Sequence, residues 1–274
     1  MSQAIPVRSR GWRLLPTEAT NDAGVLLTTR AVRAYGDGLV SVLLPVYLAS
    51  LGFDAIRIGA IATGTLAGSA ALTLLVGFVA AHLSRRRLLF AASSLMAATG
   101  LGFAAVHGFW PLLVVAVVGT LNPSSGDVSV FLPLEQALVP QTVSSRQRTA
   151  LFARYSLIGS LAGAVGALSS GLPSLLAGDN ADLVRRLIQG SFLLYGAMGC
   201  VAFLLYRRLS PAVEPHSRDV APLGPSRNMV FKLAALFSLD SFGGGLTVQS
   251  LLALWLFERF HLSIATAGAI FFWT

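Results

Sequence analysis

The chain has 274 residues, 54% hydrophobic and only 12% charged, with a mean hydropathy of +0.71 and a formal net charge of +8. Soluble domains carry about 25% charged residues, so an ordinary soluble fold is excluded, and the apolar runs of about 20 residues are long enough to cross a bilayer as helices. The positive charge does not point to nucleic acid, because the basic residues cluster beside the apolar runs, and the single cysteine, Cys200, excludes an internal disulfide.

Residues 1–24 are polar and contain Arg8, Arg10 and Arg13 with no apolar core close behind, which suits a cytoplasmic tail and not a secretory signal. Apolar spans follow at 31–50, 55–81, 88–106, 110–132, 150–176 and 187–206. They make a six-helix unit over 25–206. A polar linker over 207–229 carries Pro211, Pro215, Pro222 and Pro225. A second unit starts at 230, with a seventh span at 231–257 and an eighth from about 262. That last run holds about a dozen residues, too few to cross roughly 30 Å at about 1.5 Å per residue, so the sequence reads as cut off in mid-helix.

Sixteen of the 20 cationic residues fall on one side of this alternation, among them Arg30, Arg33, Arg146, Arg148, Arg207 and Arg208; only Arg57, Arg185, Arg186 and Arg259 fall on the other. The positive-inside rule then places the N-terminus and the Pro-rich linker in the cytoplasm. The near absence of lysine and the Ala- and Arg-rich composition point to a GC-rich bacterial gene and an inner-membrane protein.

The first span opens on Arg33-Ala34-Tyr35-Gly36-Asp37-Gly38. The seventh repeats it loosely: at one constant offset Gly38-Leu39-Val40 faces Gly245-Leu246-Thr247, Tyr47-Leu48 faces Leu254-Trp255, and Arg33 faces Asp240. Such internal repeats mark transporter folds. Six spans, a basic linker and a restart of the first span resemble the major facilitator superfamily. Its signature between the second and third helices is Gly-x-x-x-Asp-Arg/Lys-x-Gly-Arg/Lys-Arg/Lys. Here Gly77 and Arg85-Arg86-Arg87 match, while Ala81 stands for the aspartate and Ser84 for the second glycine, which removes an acidic group that helps latch the cytoplasmic gate in that family. Gly159, Gly163 and Gly166 resemble the family's glycine-rich fifth helix; small-xxx-small packing explains them equally well. The resemblance implies an all-α integral membrane protein: a six-helix bundle plus a seventh helix and a truncated eighth. It also implies a secondary transporter moving a small solute by alternating access, coupled to protons, with export as one direction. No cofactor is implied, and the partners are the solute, the bilayer and the proton.

An ionisable group inside a span costs at least a few kcal/mol, so each is a functional candidate. Asp37 follows Arg33 by four residues; it reads either as a proton or cation site or as the structural partner of Arg33. Asp240 lies in the seventh span, and its symmetry relation to Arg33 suggests an acid and a base that meet across a central cavity. Asp127 follows Asn122-Pro123-Ser124-Ser125-Gly126, where proline and glycine interrupt the helix and release carbonyls, a recipe for a coupling-ion or substrate site. Glu135 is placed at the interface near Arg146 and Arg148. Tyr35, Tyr155, Gln249 and Trp255 are further cavity candidates. No histidine has metal-ligand spacing, no phosphate loop is present, and no catalytic cluster is visible, so the chain does not read as an enzyme. A non-transporting truncated fragment and a seven-helix receptor are the alternatives.

Overall fold

The computed structural model describes residues 19–80, 83–124, 129–178, 180–214, 224–245 and 248–273, and the described residues contain helices and no strand. The helices in chain order are α1 (Asn21–Ser50), α2 (Ala55–Val79), α3 (Arg85–Ala105), α4 (Phe109–Val118), α5 (Phe131–Leu138), α6 (Arg148–Ser169), α7 (Leu172–Ala177), α8 (Ala181–Tyr206), α9 (Arg227–Gly245), α10 (Gln249–Phe260) and α11 (Ile264–Trp273). Among the described residues, five segments are long and apolar enough to cross a membrane: α1, α2, α3, α8 and Ser145–Ala177, which contains α6 and α7.

α1 is the axis of the bundle. In its apolar window 72% of residues are buried, against 28–39% for the other spanning segments, whose outer faces are left to lipid. It packs chiefly on α6 and α8, while α3 packs on α8 and α2 on α4. α1 begins ten residues before the span read from hydropathy. Its first turns carry Asp22, Arg30 and polar residues that lower the average, yet Asp22 is itself buried and accepts hydrogen bonds from the backbone N–H (2.8 Å) and hydroxyl (2.7 Å) of Ser210. At the other end Gly52, at φ +83°, closes the helix in the left-handed conformation that glycine adopts without strain.

The fourth span divides. α4 has ten residues, about 15 Å at roughly 1.5 Å per residue and so half a bilayer. The described chain continues without helix through Gly119 and Pro123 to Ser124, and the next helix among the described residues starts at Phe131. Asn122 Oδ1 accepts from the Ser124 N–H at 3.0 Å, a local turn that competes with helix. The seventh span divides likewise, after the Gly243-Gly244-Gly245 run, into α9 and α10.

The segment after α8 is tied to the first bundle by Asp22 and by Glu214. The Glu214 carboxylate accepts from the backbone N–H groups of Arg85 (3.2 Å) and Arg86 (2.9 Å) at the start of α3, beside the cap Ser84, which accepts from Arg87 N–H at 3.3 Å. Carboxylates at a helix N-terminus satisfy orphan donors and favour the dipole. Glu214→Gln is expected to lower stability by about 0.5–1 kcal/mol and to make the segment after Tyr206 more sensitive to limited proteolysis; unchanged proteolysis counts against the tie.

Candidate functional site

The site is assembled on α1. Gly36 and Gly38 let neighbours approach on either side of Asp37. A Cβ at Gly36 would meet Tyr195 and Met198 of α8, both at 3.1 Å; one at Gly38 would fall on the carbonyl of Gly163 in α6. On α6, Gly166 abuts the Tyr35 carbonyl, Gly163 lies against Ala34, and Gly159 leaves the slot occupied by the Arg30 guanidinium. Backbone contact between α1 and α6 therefore sets which polar groups of α1 face the interior.

The densest polar cluster centres on Glu135 of α5. Its side chain is 0% exposed, and that of its ion-pair partner Arg33 is 1% exposed. The carboxylate also accepts from the hydroxyls of Tyr155 (α6) and Tyr206 (α8), and from Thr29 (α1) at 3.1 Å. The Arg33 guanidinium lies 4.2 Å over the Phe131 ring, and that of Arg30 lies 5.2 Å over Tyr155. Four helices thus share one buried ion pair. This corrects the interfacial placement of Glu135: the basic residues next in sequence are not its partners, and the arginine that pairs with it stands 102 residues earlier.

Toward the middle of the bundle, Asp37 is half-buried. The Tyr195 hydroxyl lies 3.4 Å from Asp37 Oδ1 and 3.1 Å from the Thr120 carbonyl oxygen, at the start of the break in the fourth span. Thr120 N–H donates to Thr99 Oγ1 at 3.2 Å, while the Thr120 hydroxyl, in a residue 6% exposed, has no hydrogen-bond partner among the described residues. The second break meets the first: the backbone N–H (3.1 Å) and hydroxyl (2.6 Å) of Ser250 in α10 both donate to the Pro123 carbonyl.

The remaining sequence candidates are more scattered. Tyr35 is half-buried along the α1–α6 contact, Gln249 is half-buried at the start of α10, and Trp255 is 52% exposed with its ring on Phe260. Asp240 is exposed on α9, so this structure does not bring it to Arg33. Asp127 lies outside the described residues. Gly77 is exposed with open space around it, and Arg85, Arg86 and Arg87 form the first turn of α3. Tyr155, a cavity candidate from the sequence, is brought onto Glu135, whereas Glu135 as a buried centre, Tyr195, Tyr206 and Thr120 were not singled out by the sequence. The one signal was Glu135 itself, an acid inside the apolar run Phe131–Pro140.

Contacts between the second unit and the first are gathered at one end. α10 and α11 lie against the C-terminal halves of α1 and α6, where Ala267 packs with Val42 and Ala167, Ala265 meets Gly171, and Pro45, Ala49, Leu254 and Phe257 line a shallow cleft. On α9, by contrast, every residue from 227 to 243 is exposed, including Leu239 and Phe242 at 69% each.

Comparison with known proteins places this architecture. The profile of the Major Facilitator Superfamily matches residues 26–274, and the chain belongs to that family. It is 23% identical over 298 aligned positions to the uncharacterized membrane protein YJR124C of Saccharomyces cerevisiae, covering 93% of this chain and 65% of the yeast protein. Among solved structures, a POT family transporter crystallised with a thioalcohol-conjugated peptide superposes with a TM-score of 0.55 at 16% identity, over 90% of this chain and 49% of that one. The chain therefore spans about two thirds of the yeast relative and half of the solved transporter. The protein is an all-α integral membrane protein of a transporter family.

Proposed function

We propose that the protein is a secondary active transporter that moves a small solute by alternating access, coupled to protons. The observation that carries this reading is the one-ended contact between the two units. α10 and α11 close on α1 and α6 at one end, and the cytoplasm-side α9 stands clear at the other. With the N-terminus in the cytoplasm, as the arginine asymmetry supports, that is a state closed outside and open inside. The breaks in the fourth and seventh spans meet at Pro123 and Ser250, close to where discontinuous helices place ions and substrates in other transporters. Asp37 is joined to the break through the Tyr195 hydroxyl, which lies near both it and the Thr120 carbonyl, Asp127 belongs to the same break in sequence, and Gln249 and Trp255 lie on the α10 side. Closure of the cytoplasmic end brings α9, with Asp240, toward α1 and the Arg33 region. Buried acids suit a cationic or neutral solute, and proton-driven efflux of such compounds fits the same geometry. The composition carries the bacterial inner-membrane reading by itself, and the yeast relative shows that this kind of sequence is not confined to bacteria.

The test is purified full-length protein in vesicles loaded with a pH-sensitive dye under an imposed proton gradient. A panel of small amines and neutral solutes is added outside. Solute-dependent proton movement, reduced by Asp37→Asn, is the expected result. No proton movement with any solute, in vesicles where the protein is shown to be folded, overturns proton-coupled transport.

A further inference from the structure

α3 and α8 run antiparallel in close contact. Their backbones touch where Gly100 meets Gly196 and where Gly199 meets Ala97. The rings of Phe90 and Phe203, 5.2 Å apart, carry this seam to the end where α3 starts and α8 stops. One turn beyond each ring the helical period brings an arginine: Arg86 stands four residues before Phe90, and Arg207, the C-cap of α8, four residues after Phe203. Arg87 and Arg208 are their chain neighbours. Arg87, Arg207 and Arg208 are exposed; Arg86 is half-buried, with a buried Nε that has no hydrogen-bond partner among the described residues. None of the four makes an ion pair among the described residues. Glu214 lies at this end, but its carboxylate is taken by the backbone N–H groups of Arg85 and Arg86, and the Arg85 guanidinium donates to the Ala137 carbonyl of α5 at 3.2 Å. Like charges gathered without a counter-charge repel one another, and an anion among them removes that cost.

The surface beside the arginines is apolar. Along α3 the outward positions that follow Arg87 at helical spacing are Ala91, Ser94 and Ala98, all exposed and all small. Along α8, Leu204 is 57% exposed on the turn before Arg208. Small side chains on one helix beside bulky ones on the other leave a shallow furrow on the lipid-facing side of the seam. We propose that Arg87, Arg207 and Arg208, with Arg86 behind them, bind the head group of an anionic phospholipid whose acyl chain lies in this furrow against Ala91, Ser94 and Leu204. Guanidinium groups take phosphate oxygens in a two-pronged fork, and basic pockets between spanning helices on the cytoplasmic side suit anionic head groups. The arginine asymmetry assigns this end to the cytoplasmic leaflet, whose surface is negative. A soluble anion leaves the furrow unused; a phospholipid fills both parts. The proposal needs only the chain's place in a membrane and does not depend on the transporter reading.

The experiment titrates purified full-length protein in a neutral detergent with phosphatidylglycerol and, separately, with phosphatidylcholine of the same acyl chains, and counts bound lipid by native mass spectrometry. A third arm uses glycerol phosphate, which carries the phosphate without the chains. Saturable binding of phosphatidylglycerol is expected, roughly tenfold or more tighter than phosphatidylcholine, and no binding of glycerol phosphate over the same range. Each arginine near a membrane surface contributes about fivefold, so Arg87→Gln is expected to weaken phosphatidylglycerol binding by about that factor and Arg207→Gln with Arg208→Gln by roughly twentyfold. Arg146→Gln with Arg148→Gln removes the same charge from exposed positions away from the seam, and is expected to leave binding unchanged. Equal affinity for the two lipids overturns the site, as does binding that survives both the Arg87 and the Arg207 and Arg208 variants. An equal loss in the Arg146 and Arg148 control means general surface charge and also overturns it. Glycerol phosphate bound as tightly as phosphatidylglycerol overturns the lipid as the occupant. The proton-movement assay is separate: its failure removes the transporter reading and leaves this binding untouched.

Discussion

Glu135→Ala is expected to destabilise the protein by about 3–5 kcal/mol, the cost of leaving a buried charge without its partner. The side chain removed is 0% exposed, and Arg33 stays behind at 1% exposure over the Phe131 face, without its ion-pair partner and with Asp37 one turn along α1 as the carboxylate still coupled to it. The Tyr155 and Tyr206 hydroxyls lose their acceptor in the same step. Replacing both charges by apolar side chains of similar volume, Arg33→Met with Glu135→Leu, is expected to cost much less, because no uncompensated charge remains. Unfolding in denaturing detergent, followed by tryptophan fluorescence, measures both. Equal losses in the single and double variants would mean that the pair contributes through packing alone.

The second large effect is expected at Gly38. A Cβ there meets the backbone carbonyl of Gly163, and backbone cannot swing aside as a flexible side chain can. Gly38→Val should force α1 and α6 apart at a cost of about 1–3 kcal/mol or more, and it should disturb Gly166 and Gly159 on the same contact, carrying Arg30 out of its slot. Gly77→Ala is the control. Gly77 lies within α2 with nothing inside 4 Å of its added Cβ, so alanine there is expected to be neutral or to stabilise by up to about 1 kcal/mol through helix propensity. A Gly38→Val protein as stable as Gly77→Ala would show that α1 and α6 separate without loss.

Much of the fold was legible because the bilayer imposes one rule, that backbone groups be satisfied within a helix. Apolar stretches such as 55–79 and 187–206 follow it without interruption and read directly as helices. The fourth and seventh spans were harder, since hydropathy does not register a break: Thr120, Leu121 and Asn122 keep the chain buried while its helix stops. Pro123 and the Gly243–Gly245 run were the visible signs, and they give the place of a break without the geometry on its far side. Asp37 stood out because an acid flanked by glycines inside an apolar span has few structural excuses. Glu135 did not, because the next basic residues in the sequence, Arg146 and Arg148, suggested pairing at the membrane interface. Its actual partners come from α1, α6 and α8, and no local pattern encodes a contact between elements so far apart along the chain. Tyr195 and Tyr206 were hidden for a related reason, since the spacing of an aromatic residue on a helix is the same whether its hydroxyl is idle or shared.

The ties made by Asp22 and Glu214 also decide how far one unit can travel from the other. The chain is held on the first bundle at Glu214 and enters α9 at Arg227, so about a dozen residues connect the two, whose contour is at most roughly 40–45 Å at about 3.5 Å per residue. That length sets an upper limit on how far the start of α9 can lie from the end of the first bundle in one molecule. It thereby bounds the effective concentration of one unit at the other.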